Sequence, residues 1–402
     1  MKQILLLSGI LLGTFSANSQ TVYTAQDTGA AINSATKILQ TSKQTGVTLG
    51  GYAQLDYNQS FGGGVKHNGT MDVHRLVLLF GYKFSDKTSF VSELEVEHVN
   101  EFFVEQAFLN HSINSKLNIR AGLMLIPMGI VNEYHEPPTY NGVERPNLDK
   151  YIVPTTWREM GIGVTGKFDN TSLRYQLYMF NGFLGYDGAA KFRGTDGYRK
   201  GRQKAAKSVF SYPTFSGKLD YYGILGLKLG LSGYYGKSQT TLKDGVNPTD
   251  ALAMSAVDSS VITMTMVGLD ARYQRKGFTA RGQFIYSQNQ NTEAYNIKGQ
   301  TDLGEALMGY YIEAGYNVFR LFKLRTTKKL DAFVRYESYN THFKMYNESL
   351  VNDAYNRANI TTGLSFHIAP GAVFKVDYQY LMSKEPNSTA TNMLNVGVGW
   401  WY

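Results

Sequence analysis

The sequence predicts an all-β fold, a 16-stranded antiparallel transmembrane β-barrel with long external loops and short periplasmic turns. Three observations predict it: apolar residues recur with a period of two along most of the chain, connections alternate between short and long, and aromatic residues gather at strand ends. Successive strand side chains point to opposite faces, so alternation marks a strand that is apolar on one side. A barrel strand in a bilayer has this pattern, which lets its mean hydropathy fall in the range of soluble proteins. The value here is −0.27.

Composition narrows the field further. The 402 residues include no cysteine, which excludes disulfide scaffolds, thiol catalysis, iron–sulfur clusters and Cys-ligated zinc. A hydrophobic content of 43% is too high for a disordered chain. The apolar run Ile4–Phe15 falls well short of the ~20 residues of a membrane-spanning helix.

The N-terminus reads as a secretory signal peptide over residues 1–19: Lys2 opens it, Ile4–Leu12 is its apolar stretch, and Ala17-Asn18-Ser19 carries the small residues of a cleavage site. Residues 20–46 are polar and read as a periplasmic N-terminal segment, with Ile32, Ala35 and Leu39 on one face of a short helix.

The barrel is expected over 47–402. Its strands are read at 47–58, 70–84, 88–98, 102–112, 116–126, 160–168, 172–181, 215–223, 226–236, 262–274, 277–288, 308–318, 329–339, 356–368, 371–382 and 392–402. Leu76, Leu78, Phe80 and Tyr82 alternate with Arg75 and Lys83; Val267, Leu269 and Ala271 alternate with Asp270 and Arg272. The phase of Phe102–Ser112 is ambiguous. Most segments have 9–13 residues, where a tilted strand needs ~9–11 to cross a bilayer. Ser85-Asp86-Lys87, Arg275-Lys276 and Ala369-Pro370 are short turns, whereas 127–159, 182–214 and 237–261 are long, as in outer-membrane barrels. Tyr82, Phe84, Phe278, Tyr286, Tyr316, Tyr378, Tyr380, Trp400 and Tyr402 would form interfacial belts.

Residues 127–159 carry Pro127, Pro137, Pro138, Pro146 and Pro154, five of the nine prolines. Proline fixes φ, so this long loop is expected to be shaped and semi-rigid, as a channel constriction requires. Its candidate functional residues are Pro127, Glu133, His135, Glu136, Arg145, Lys150, Trp157, Arg158 and Glu159. Strand parity puts Arg75, Arg120, Arg174, Arg272, Arg281, Arg335 and Arg357 toward the lumen, interleaved with carboxylates such as Glu93, Glu95, Asp220, Glu313 and Asp377. Most are expected to pair across strands, and no continuous ladder of arginines is traceable. Lys191, Arg193, Arg199, Lys200, Arg202, Lys204 and Lys207 make the loop over 183–211 strongly basic, a mouth that would concentrate anions or meet lipopolysaccharide.

The stretch Arg120-Ala-Gly-Leu-Met-Leu-Ile-Pro127-Met-Gly129, with Asn132-Glu-Tyr-His-Glu-Pro-Pro138, Gly142-Val-Glu-Arg-Pro146 and Ile152–Gly161, resembles the third-loop region of the phosphate-selective porin O and P family. The resemblance implies a homotrimeric channel integral to the bacterial outer membrane, with the third loop folded into the lumen. Its solutes would be small and hydrophilic, with a preference for phosphate or other anions. The alternatives are a non-selective general porin, or an outer-membrane binding or adhesion barrel with a closed lumen. No cofactor, metal site, nucleic-acid partner or enzymatic activity is expected. Gly161-Ile-Gly163-Val-Thr-Gly166 fits a nucleotide-binding pattern, but it lies on a strand with no helix after it, where close backbone approach to the inserted loop explains the glycines. His135-Glu136 runs into two prolines and cannot form a helical zinc motif.

Overall fold

A computed structural model describes residues 33–41, 45–62 and 65–401. The expected signal peptide and Tyr402 lie outside the described residues.

Sixteen antiparallel strands close into one barrel. They are β1 Gly46–Phe61, β2 Thr70–Lys83, β3 Thr88–Glu97, β4 Glu101–Asn114, β5 Leu117–Leu125, β6 Arg158–Phe168, β7 Leu173–Phe180, β8 Thr214–Ile224, β9 Leu227–Lys237, β10 Thr263–Arg275, β11 Phe278–Gln290, β12 Ala306–Asn317, β13 Lys329–Lys344, β14 Asn356–Ala369, β15 Ala372–Ser383 and β16 Thr391–Trp401. Each strand pairs with its sequence neighbours, and β1 closes on β16 from Tyr52↔Trp401 to Phe61↔Asn392. Closure leaves no strand edge, so every ladder is satisfied within the wall, which a lipid-embedded sheet requires.

The outer face is apolar, as alternation predicts. Leu49, Leu76, Leu78, Val267, Leu269, Ile312 and Val334 are exposed. Aromatic pairs ring both ends: Tyr82–Phe84 and Tyr273–Phe278 beside the short turns, Phe61–Tyr378 and Tyr286–Phe343 beside the long loops. Such rings suit the headgroup level, where an amphipathic ring meets both lipid and water.

The ambiguous phase of the fourth strand has a physical cause. Pairing of β3 with β4 runs Glu93↔Gln106 and then Leu94↔Val104, so Glu105 is the extra residue of a β-bulge. Phe102 and Val104 face outward before it, Leu109 after it, while Glu105 and Gln106 are both buried on the inside. A bulge inserts one residue and re-aims the side chains beside it.

The interior departs from a purely polar lumen. Residues 126–157 lie inside the barrel, where Ile126, Met128, Ile130, Val131, Leu148, Ile152 and Trp157 pack on Met264, Met266, Ile285 and Leu307 of the wall. The loop over 181–213 folds over them, placing Phe183, Phe192 and Tyr198 in the same cluster. Helix α1, Ser34–Thr41, packs against β1, β2 and β3 with Ala35 and Ile38 buried. A Cβ on Gly81 would collide with Ile38, so this glycine makes room for the helix. Gly161 and Gly163 also make room, though not for the inserted loop: Cβ atoms there would meet the rings of Phe180 and Tyr178 on the adjacent strand.

Candidate functional site: an acidic and a basic wall around the inserted loop

The inserted loop is held shut at its base and bolted across the lumen. Asn132 Nδ2 donates to the carbonyls of Ile126 (2.7 Å) and Trp157 (2.9 Å), and its Oδ1 accepts from Trp157 N at 2.7 Å. Trp157 is fully buried and stacks on Phe183 with ring centroids 4.1 Å apart. On the opposite wall Lys375 Nζ donates to the carbonyls of Pro137, Tyr140 and Gly142 at 2.6, 2.8 and 2.8 Å. Glu337 accepts from Leu148 N, and Arg335 donates to the Glu144 carbonyl. Buried backbone groups must be paired, and these side chains supply the partners that a loop without secondary structure lacks.

An acidic wall spans β2 to β4. Glu93, Glu95 and Glu97 alternate on the inner face of β3, and the bulge adds Glu105. Arg75 pairs with Glu95 at 3.0 Å and Glu97 at 3.3 Å, and Arg158 reaches Glu105 at 3.5 Å. His135 descends from the loop onto this wall, its Nε2 lying 3.0 Å from Glu105 and 3.4 Å from Glu93. Tyr52 Oη lies 2.6 Å from Glu93 and 2.9 Å from His135 Nε2. Glu136 accepts from Ser34 N, tying the loop to α1.

A basic wall lies on β9 to β11. Lys228 faces Arg272 across one strand pair and Arg272 faces Arg281 across the next, so three cations sit side by side in one register. Like charges directly opposite each other are destabilising in a sheet. Nearby carboxylates offset the row only in part: Lys228 pairs with Asp220 at 3.0 Å and Arg281 with Glu313 at 2.9 Å. Arg272 rests on the Tyr134 ring, 4.0 Å from its centroid, and its buried Nε and Nη2 have no hydrogen-bond partner among the described residues. A cavity of 70 Å³ opens here, bounded by Tyr134 and Thr139 of the loop and by Lys228, Arg272 and Arg281.

The other arginines predicted to face the lumen are more thoroughly engaged. Arg174 pairs with Asp220 at 2.8 Å and Arg335 with Glu313 at 3.4 Å. Arg120 donates to Asn110 at 2.8 Å, and Arg357 packs on Tyr151, Tyr339 and Tyr355. Within the loop, Glu133 pairs with Lys218 at 3.0 Å, and Glu159 accepts from Asn181 at 2.7 Å. Pro127 is buried and Lys150 is exposed.

The basic mouth is split by the structure. Arg199 and Arg202 turn inward and donate to the Thr155 carbonyl at 3.0 and 2.8 Å. Burial and crowding hold both guanidiniums below their usual range, Arg145 pressing on Arg199 and Arg199 with Arg158 on Arg202. Lys204 lies over the Phe103 ring at 4.1 Å. Lys191 and Lys200 pair with Asp187 and Asp196, while Arg193 and Lys207 are exposed. Among the described residues, no carboxylate lies within ion-pair distance of Arg145, Arg199 or Arg202.

Sequence reasoning missed Tyr52, Glu105, Asn132 and the alignment of Lys228 with Arg272 and Arg281. The ambiguous phase of 102–112 was the one local sign of Glu105; register leaves no local sign.

An uncharacterized protein of Aquifex aeolicus (strain VF5) is 30% identical to this chain over 358 residues, covering 86% of this chain and 77% of that protein. The two belong to one family. No protein-family model matches the chain. Among solved structures, OmpF of Salmonella typhi in complex with daunomycin superposes with a TM-score of 0.59 at 12% identity, over 89% of this chain and 98% of that one. The anion-selective porin of Comamonas acidovorans gives 0.58 at 12% identity, over 89% of this chain and 100% of that one. These likenesses establish the fold, a porin-type barrel of outer-membrane channels.

Proposed function

We propose that the protein is an outer-membrane porin through which small hydrophilic solutes diffuse passively, with a preference for phosphate and other anions. One observation carries the anion preference. The cavity beside the inserted loop is bordered by Lys228, Arg272 and Arg281 in one row. A cleft lined by one sign of charge concentrates counter-ions, and fixed rings of charge set which ion passes. Arg145, Arg199 and Arg202 extend the same sign to the long-loop end. The loop over 127–157 acts as the constriction, narrowing the path to the strip along the basic wall. No turnover is required, since flux follows the solute gradient. The proposed working form is a homotrimer set in lipid and lipopolysaccharide after residues 1–19 have been removed.

Reversal potential across a planar bilayer in a KCl gradient tests the preference. Chloride should outrun potassium, and the double variant Arg272→Gln/Arg281→Gln should abolish the bias; a potassium preference in the unaltered protein would refute it. A second reading, a barrel with a closed lumen that binds a partner through its loops, is favoured by the apolar cluster joining the two inserted loops across the interior. Silence at all voltages would select that reading.

A further inference from the structure

Four donor atoms converge where His135 meets the acidic wall. Glu93 Oε1, Glu105 Oε2, His135 Nε2 and Tyr52 Oη come from β3, β4, the inserted loop and β1. Five of their six mutual distances are 2.6, 2.9, 3.0, 3.3 and 3.4 Å. Donors at the corners of a tetrahedron, each about 2.1 Å from a central zinc ion, stand about 3.4 Å apart. An outward relaxation of a few tenths of an ångström would bring this set to that size.

The surroundings are those of a metal centre. Each carboxylate turns one oxygen inward, while the other is held from behind: Glu93 Oε2 by Gln106 (2.6 Å) and Ser34 (3.1 Å), Glu105 Oε1 by Arg158 (3.5 Å). His135 Nδ1 lies 3.3 Å from the Asn132 carbonyl, a contact that assigns the proton to Nδ1 and leaves Nε2 free to ligate. The bulge in β4 is what brings Glu105 to the centre at all.

Charge supplies the independent argument. Glu93, Glu95, Glu97 and Glu105 cluster here, and the guanidiniums found in ion pairs with them are those of Arg75 and Arg158. His135 Nε2 stands within ion-pair distance of Glu93 and Glu105, so one negative charge is left over with the imidazole protonated and two with it neutral. Glu95 is 1% exposed and lies against Glu105, and its ion-pair partner Arg75, at 3.0 Å, is shared with Glu97. Surplus buried carboxylate charge is costly unless paired. One divalent cation bound with a neutral imidazole balances it.

We infer that Glu93, Glu105, His135 and Tyr52 bind a divalent transition-metal ion, zinc by donor set and size, which staples the inserted loop to the barrel wall. The site is closed on all four sides, so its role is structural, and it is separate from the basic wall that would meet solute. The ligands are distant in sequence, which is why local histidine spacing carries no sign of them.

The test uses the folded barrel in detergent, stripped with EDTA and then incubated with zinc alone. Elemental analysis should find about one tightly held zinc per chain, and X-ray absorption should give a nitrogen and oxygen shell at about 2.0–2.1 Å. His135→Gln and Glu105→Gln should each lose that zinc while retaining the heat-modifiable migration of a folded barrel. Gln106→Ala should weaken binding by about 10- to 100-fold. His74→Gln should change nothing, although His74 groups with Asp56 and Asp72 as another potential ligand set. Failure of the unaltered protein to hold zinc above the His135→Gln level, or an absorption shell unlike this donor set, would overturn the inference.

Discussion

The wall of β2 to β4 and the wall of β9 to β11 are built from the same alternating strands, yet they treat charge in opposite ways. On the first, carboxylates outnumber cations, and all are drawn into contact with Arg75, His135, Arg158 and α1. On the second, cations stand in a row that repels itself and borders open space. The inserted loop sits between them, and its His135 pairs with Glu93 and Glu105 of the acidic side. The difference separates two uses of buried charge. Charge drawn into ion pairs with the loop and the neighbouring strands holds structure, whereas a row of like charges beside a cavity is available to a ligand.

Substitutions should therefore divide cleanly. The largest effect is expected for Arg75→Leu, which leaves Glu95 and Glu97 without their guanidinium: a loss of about 3–5 kcal/mol in urea unfolding from vesicles, with the ion permeability ratio unchanged in those channels that fold. Lys375→Met should cost less, about 1–3 kcal/mol for a carbonyl left unpaired, and should raise conductance noise as residues 137–142 come loose from the wall. Arg272→Gln should reverse the pattern. Stability should stay within about 1 kcal/mol, because relief of repulsion in the row offsets the lost contact with Tyr134, while chloride preference falls. A large stability loss without a change in preference would place Arg272 with the structural charges and break the comparison. Lys207→Gln, on an exposed stretch of the mouth, should lie within about 0.5 kcal/mol and leave the permeability ratio unaltered.

Much of the wall was legible in the sequence, because alternation is local: the face that Leu76 and Leu78 share is set by their own spacing. Strand ends were less legible. The strand read at 329–339 runs on to Lys344, since Tyr339, Thr341 and His342 also find partners inside. The loop over 127–159 announced itself by length and proline, but nothing in its composition says that an asparagine clasps its base. The basic mouth was visible as a charge run, whereas the division between Arg199 and Arg202, turned inward, and Lys207, left outside, depends on where the Thr155 carbonyl stands.

The period of two, the contrast between short and long connections and the aromatic strand ends determined by themselves that this chain is a barrel with an apolar outside. Each of those signals lives within a dozen residues. The register that aligns Lys228, Arg272 and Arg281, the bulge that turns Glu105 inward and the meeting of His135 with two glutamates were decided only by the tertiary structure. Cross-strand register belongs to pairs of strands and to closure of the barrel, and no single segment carries it.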